Sequence, residues 1–435
     1  MKDPMPLLIR GDARQLPLPD ASVDLIVTSP PYWSLRSYSD GGTHYDGQIG
    51  SEPDWREYLD VLVDCAREWV RVLKPTGNMW INLGDKYVAN RRGPNGQSST
   101  LTNGAQYRNR AAPSTVTGAP DKSLLLLPHR FAIRLIDELG LTVRMDQVWS
   151  KPNGLPESVK DRTRRSHEYL FHVVKQPRYF EAIDEIREPH DPDTLRPTKG
   201  GRGQAFHARN QSLYRASQRG YQGPNPLGAV PGSVWEVASQ PLDVPDHVAH
   251  ARCCGGTKRP GCADGLDHYA AFPMNLVRPI ILGWSPREVC TECGQGRRPV
   301  IATEYHKLWN HTPKRTLGNA DNNLESFSAK GRGYVVRTIT GYACDCDTAD
   351  APSTPGVVLD PFGGTACAPL VAVMAGRVGI SVDRSWDYLD LLARWRTTDP
   401  RERARAAGLD ADAVARIPVV HPEQGSLMDL LVGAP

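Results

Sequence analysis

The sequence lacks a strong excess of either charge: 52 Lys and Arg stand against 49 Asp and Glu, a formal net charge of +3 over 435 residues. Net charge therefore says nothing about a polyanionic partner, which must be read from local charge instead. Long hydrophobic runs are also missing. The run nearest to an insertion signal, Leu124–Leu127, is far short of the roughly 20 residues a membrane helix needs. The start, MKDPMPLLIRGDA, lacks the apolar stretch of a secretory signal. These absences predict a soluble, cytoplasmic chain with no membrane partner. Nine cysteines, mostly in close pairs, in such a reducing compartment point to metal or free thiols rather than disulfides. What the chain has in plenty is Gly (39) and Pro (37), together about one residue in six where one in eight is usual. Long loops or ordered insertions follow. Length and a 40% hydrophobic content suit two to three globular domains.

Strand and helix patterns alternate. Leu7–Arg10 and Val23–Thr28 read as short buried strands, the second ending abruptly at Ser29-Pro30-Pro31-Tyr32. Leu59, Leu62, Val63, Ala66, Trp69, Val70 and Leu73 recur at helical spacing, and Pro75 with Gly77 ends that helix before a strand over 78–83. Helix 124–139 and strands 142–149 and 168–175 continue the rhythm, which is that of an α/β protein. Near the other end, strand 357–360 leads into a Gly-Gly turn, a helix over 366–375, a strand ending at Asp383 and a helix over 385–397. Two stretches break the pattern, 90–120 and 194–235. Both hold several arginines and no Asp or Glu, and the second interleaves Phe206, Tyr214 and Tyr221 with its basic residues. Charge concentrated in this way attracts phosphate backbones through counterion release, although a solvated loop has the same composition.

Two constellations carry chemistry. In a parallel α/β sheet, ligands bind beyond the carboxyl ends of the strands. Asp360 stands at such an end, and Gly363 and Gly364 lack the Cβ that would keep a ligand from the backbone. Asp383 closes the next strand 23 residues on, a spacing suited to ribose hydroxyls. Together these favour a nucleoside ligand; a dinucleotide fits less well, because the Gly-x-Gly-x-x-Gly spacing is absent. In the second constellation, Pro30 and Pro31 fix φ and offer no N–H. Their rigid carbonyls suit an exocyclic amino group, Ser29 adds a polar contact, and Tyr32 offers a flat face to a base. A plain strand terminator would look the same in isolation.

These residues resemble the amino-group DNA methyltransferases that use S-adenosylmethionine, in the circularly permuted order with the catalytic half first. Asp24–Tyr32 is similar to the family's catalytic motif, and Val358–Thr365, with Asp360, Pro361, Phe362, Gly363, Gly364 and Thr365, to its cofactor motif DPFxGxGT. That pattern reads here as one residue short, since Gly364 is followed directly by Thr365. The segment 268–276 looks like the family's cofactor-packing stretch, through Phe272 and Pro273, and Lys151-Pro152-Asn153 with 162–175 looks like the lead into target recognition. The resemblance implies a Rossmann-like seven-stranded sheet. It implies a catalytic half over 1–185, target recognition over 186–245, cofactor packing over 246–285 and a cofactor half over 351–435. It implies methyl transfer from S-adenosylmethionine to the amino group of a base flipped out of double-stranded DNA, held by Ser29, Pro30, Pro31 and Tyr32. Ser-Pro-Pro-Tyr leans towards cytosine N4, with adenine N6 the alternative, and a cognate restriction enzyme is a conceivable companion. No Pro-Cys dipeptide occurs, which argues against attack by a cysteine on cytosine carbon 5. In the family manner, Asp12 would touch the cofactor's adenine, though a turn-capping aspartate explains it as well.

Cys290, Cys293, Cys344 and Cys346 form two close pairs within a Cys-rich insertion over 286–350. Four thiolates complete a tetrahedral structural zinc site, favoured here over free thiols. Arg91, Arg92, Arg196, Arg202, Arg209, Arg215 and Arg219 are the candidate DNA contacts. The different-class rival is a non-enzymatic zinc protein that binds DNA.

Overall fold

The computed structural model describes residues 4–34, 39–40, 43–44, 47–88, 118–154, 156–190, 225–251, 272–307, 333–346 and 351–416. All seven candidate DNA-contacting arginines lie outside them. Described strands, in chain order, begin with β1 (Leu7–Arg10), β2 (Val23–Thr28), β3 (Ser39–Asp40) and β4 (Thr43–His44). Then come β5 (Leu73–Leu83), β6 (Thr142–Ser150), β7 (His167–Val174), β8 (Val234–Glu236), β9 (Glu288–Cys290), β10 (Arg298–Lys307) and β11 (Gly333–Ala343). The last are β12 (Ser353–Pro355), β13 (Val357–Asp360) and β14 (Val378–Asp383). The principal helices are α1 (Trp55–Val72), α2 (Leu127–Leu139), α3 (Met274–Trp284) and α4 (Cys367–Met374). Among the described residues no helix is long and apolar enough to cross a membrane.

The chain divides into two units, the first made of 1–182, 232–296 and 350–435. Its centre is a mixed sheet in the order β1-β14-β13-β2-β5-β7-β6-β8. The pairs from β1 through β5 are parallel, and β7 runs antiparallel to both β5 and β6. Eight strands therefore stand where seven were expected. The extra one, β8, is three residues long and pairs in parallel with the end of β6; Trp149 Nε1 pins the chain just after it by donating to the Val237 carbonyl at 2.7 Å.

Alternation along the strands builds two cores. Ile26, Met79, Ile81 and Leu359 face a layer with α1 and α2, whereas Leu25, Val27, Trp80 and Val358 face α3 and α4. Helix α1 starts where Asp54 accepts a hydrogen bond from the Arg56 N–H and buries Leu59, Leu62, Val63, Ala66 and Trp69 on one stripe. Helix α2 begins at Leu127 rather than 124, because Pro128 occupies its first turn and Leu126 turns left-handed at φ 57°. The expected helix over 385–397 is a π-helical turn, Tyr388–Ala393, running into a short α-helix, Arg394–Thr398. Two buried polar groups join sequence-distant strands. Asp24 on β2 accepts from Lys74 Nζ and from the Val357 N–H, each at 2.8 Å. Asn78 on β5 donates to the carbonyls of Phe180 and Trp284 and pairs with His172.

The second unit comprises 183–231 and 297–349. It carries the long hairpin β10–β11, with a bulge at Val300/Ile301, and a bridge between Glu188 and Ala229.

Candidate active site

The carboxyl ends of β2 and β13 are neighbours in the sheet, although 332 residues separate them in the chain. Thr28 Oγ1 donates to Asp360 Oδ1 at 2.7 Å, so the Ser-Pro-Pro-Tyr loop and the Gly-Gly loop leave the same edge side by side. The two constellations are neighbours in space.

In the first loop, Pro30 is buried and Ser29, Pro31 and Tyr32 are half-buried. Tyr58 donates its hydroxyl to the Pro31 carbonyl at 2.9 Å, while no donor among the described residues reaches the Pro30 carbonyl. Asn82, at the end of β5, is fixed by donating from Nδ2 to the Tyr169 carbonyl at 3.1 Å. Its Oδ1 accepts from Ser29 Oγ at 3.2 Å and stands 2.9 Å from Tyr32 Oη. Tyr32 Oη also reaches Glu168 Oε2 at 2.9 Å, and Glu168 Oε1 pairs with Lys151 Nζ at 2.5 Å. One face of the Tyr32 ring lies on Gly84, where a Cβ would come within 2.4 Å of a ring carbon. Burial, with the negative Glu168 beside it, pushes the Tyr32 hydroxyl well above its ordinary pKa, so it remains a neutral donor. Trp33 is core, its Nε1 donating to the Glu52 carbonyl.

In the second loop, Asp360 is 5% exposed. Its Oδ1 accepts from Thr28 and from the Phe362 N–H at 3.1 Å, and Oδ2 meets no donor among the described residues. Burial pushes this carboxyl up to about 7; the two hydrogen bonds oppose the shift and the Asp383 charge adds to it. The loop is of full length, which corrects its reading as one residue short. Gly364 at φ 48° and Ala366 at φ 57° are its two left-handed residues, so Ala366 stands where the family pattern has its second glycine and Cys367 where it has threonine. Gly363 packs so closely on Ser381 that a Cβ would fall 1.9 Å from Oγ. Phe362 sits edge-on to Trp69 on α1, and Thr365 Oγ1 accepts from the buried Arg396 at 2.7 Å. Pro361 is buried in the turn.

Asp383 holds this loop in place: Oδ2 accepts from the Gly364 N–H at 2.9 Å and Oδ1 from the Ser385 N–H at 2.8 Å. Asp12 accepts from the backbone N–H and guanidinium of Arg14, whose charge holds its carboxyl below the ordinary value despite partial burial. With Arg10, Gly11 and Arg384 it lines an open cleft of about 340 Å³ beyond β1 and β14. The Phe272 carbonyl accepts from Cys367 Sγ at 2.8 Å, and Pro273 caps α3. Loop, cleft and Phe272 thus lie along one edge of the first unit.

A family model described as DNA methylase, covering amino-group N6 and N4 enzymes, matches residues 23–289, more than half of the chain. The chain belongs to this DNA methylase family. Among curated relatives, the Type II methyltransferase M.Cfr9I of Citrobacter freundii is 40% identical over 277 residues, 63% of this chain and 71% of its own. M.XycI, a Type II methyltransferase of Xanthomonas campestris pv. cyanopsidis, is 41% identical over 201 residues, 44% of this chain and 64% of its own. Among solved structures, the cytosine-N4-specific PvuII DNA methyltransferase aligns over 95% of this chain and 93% of its own, with 16% identity and a TM-score of 0.44.

In this DNA methylase the two cysteine pairs lie in different units. Cys290 is buried at the end of β9 and Cys293 exposed, in a tight turn where the Gly294 N–H donates to the Cys290 carbonyl at 3.0 Å. Cys344 and Cys346 follow β11 with their Sγ atoms 3.2 Å apart. Neither pair forms a disulfide. Sequence reasoning passed over Asn82 and Glu168. The one signal for Asn82 is a polar residue inside an otherwise buried strand, and Glu168 gives none, because its partner Tyr32 is 136 residues away.

Proposed function

We propose that this methylase transfers the methyl group of S-adenosylmethionine to the exocyclic amino group of a base in double-stranded DNA, cytosine N4 in the first place. The observation that carries the reading is the Thr28–Asp360 hydrogen bond, which sets an amino-binding loop beside a ligand-binding one. The second loop fits the donor: Asp360 is a buried carboxyl with a free oxygen, suited to a cationic amino group, in a turn with no room for a Cβ at Gly363. Bound there, S-adenosylmethionine supplies a methyl group activated by a positively charged sulfur. Asp360 and the Gly363–Thr365 backbone would hold it, Phe272 and Pro273 would flank it, and Asp12 and Asp383 would meet its adenosine. The chain's own contribution is positioning. A stacked base cannot reach the loop, so it must be extruded from the duplex. Ser29 and the Pro30 carbonyl then hold its amino group, turning the nitrogen lone pair out of conjugation, and Tyr32 supports the ring.

Ser29, in place of an acidic residue, supports cytosine N4 through the family resemblance. The permuted chain order, with the catalytic strands first, belongs to the same reading, as do target recognition by the arginine-rich stretches, a cytoplasmic site of action and a restriction-enzyme companion. Incubation with unmethylated genomic DNA and labelled S-adenosylmethionine, followed by nucleoside mass spectrometry, tests the proposal. Labelled N4-methylcytosine is the expected product. N6-methyladenine would replace the base and keep the chemistry, and an unlabelled digest from folded protein would overturn the reading.

A further inference from the structure

Transfer to an amino nitrogen leaves that nitrogen with one proton too many, and the Pro30 carbonyl beside it has no proton to exchange. The hydroxyls around it do. Ser29 Oγ lies 3.4 Å from Tyr32 Oη, which lies 2.9 Å from Glu168 Oε2. Each hydroxyl also has Asn82 Oδ1 as a second acceptor, at 3.2 and 2.9 Å. One proton cannot serve two acceptors at once, so both hydroxyls have two settings. The far end of the chain is fixed: Lys151 Nζ pairs with Glu168 Oε1 and sits 4.0 Å over the Trp149 ring. The Glu168 and Lys151 side chains are 18% and 20% exposed, enough for water to reach them.

We propose that Glu168, steadied by Lys151, is the terminal acceptor of the proton released in methyl transfer, reached through Ser29 and Tyr32. This rests on the amino-methyl transfer proposed above. As the bond from nitrogen to methyl forms and the bond from sulfur to methyl breaks, the nitrogen passes a proton to Ser29 Oγ. Ser29 passes its own to Tyr32 Oη, and Tyr32 passes its own to Glu168 Oε2. Both hydroxyls end as they began, the carboxylate ends neutral, and its proton leaves to water. Glu168 acts through Tyr32, so it is a positioning residue and proton acceptor that does not touch the base.

Single-turnover transfer of labelled methyl to unmethylated genomic DNA tests this, with the S-adenosylmethionine Kd measured in parallel. Glu168→Gln and Tyr32→Phe are each expected to slow transfer at least tenfold while leaving that Kd within twofold. Two cuts in one path are not additive, so the double variant is expected to be no slower than the slower single one. Formate should restore transfer in Glu168→Ala, and fail to do so when Tyr32→Phe is added. Wild-type rate in Glu168→Gln, multiplying losses in the double variant, or a Kd that weakens in step with rate overturns the proposal. A wild-type chain that methylates no DNA overturns the proposed function itself, which separates the two failures.

Discussion

Asp360 makes a prediction in which pH reports on the site. Burial raises its carboxyl from 3.8 to about 7. The folded chain therefore binds more protons than the unfolded chain between these values, and stability falls as pH rises through that window. At about 1.4 kcal/mol per pKa unit, the loss amounts to roughly 4 kcal/mol by pH 8, and it is absent near pH 4. Asp360→Asn keeps an oxygen that accepts from Thr28 and Phe362 and removes the titration. Without ligand the variant should match the wild type near pH 4 and exceed it by up to roughly 4 kcal/mol at pH 8 in urea unfolding. Binding reverses the order. A cationic ligand needs the ionised carboxyl, so wild-type affinity for S-adenosylmethionine should rise about tenfold per pH unit up to about pH 7 and then level. The variant should bind weakly and without that slope. Calorimetry in buffers of different ionisation enthalpy counts the protons released on binding at pH 6. Parallel stability profiles for the two proteins, or a flat affinity for the wild type, would refute the reasoning.

Three further outcomes are expected. Ala366→Gly relieves a left-handed φ of 57° and should raise stability by about 1 kcal/mol in chemical unfolding, with no loss of transfer. Gly84→Ala drives a methyl group into the Tyr32 ring; transfer should fall at least tenfold while far-ultraviolet circular dichroism stays unchanged. Glu402→Ala strips the buried Arg396 of its carboxylate at 2.8 Å and should cost about 3–5 kcal/mol, read as a lowered Tm. Because Arg396 also holds Thr365, that variant should lose cofactor affinity too.

Much of the sheet was legible because its residues are patterned for burial. Val23–Thr28, 78–83 and Val357–Asp360 read directly as strands, and the stripe on α1 as a helix. The strand β8 was hidden because three residues carry no periodicity, and what defines it is a parallel partner, Val148 with Val234. Both site loops were legible for the same reason, each standing where an apolar run stops at Pro or Gly. Their support was not. Tyr32, Asn82 and Glu168 meet because β5 and β7 pair with Leu83 opposite Tyr169, a register that no local spacing encodes. The cofactor loop was misjudged in length because Ala366 breaks the letter pattern while keeping the left-handed backbone that the pattern describes. Asp383, expected to face ribose hydroxyls, accepts at both oxygens from backbone N–H groups of its own loops.

The order of strands sets a timetable for synthesis. Strand β1 pairs with β14, and one edge of β2 with β13, so both wait on a ribosome that must first travel through residue 383. Until then β2, apolar at four of its six residues, offers an open border, the kind that recruits other chains, and Thr28 has no carboxylate to grip. The Thr28–Asp360 pair and the parallel core of the sheet are therefore completed only when the late strands have arrived.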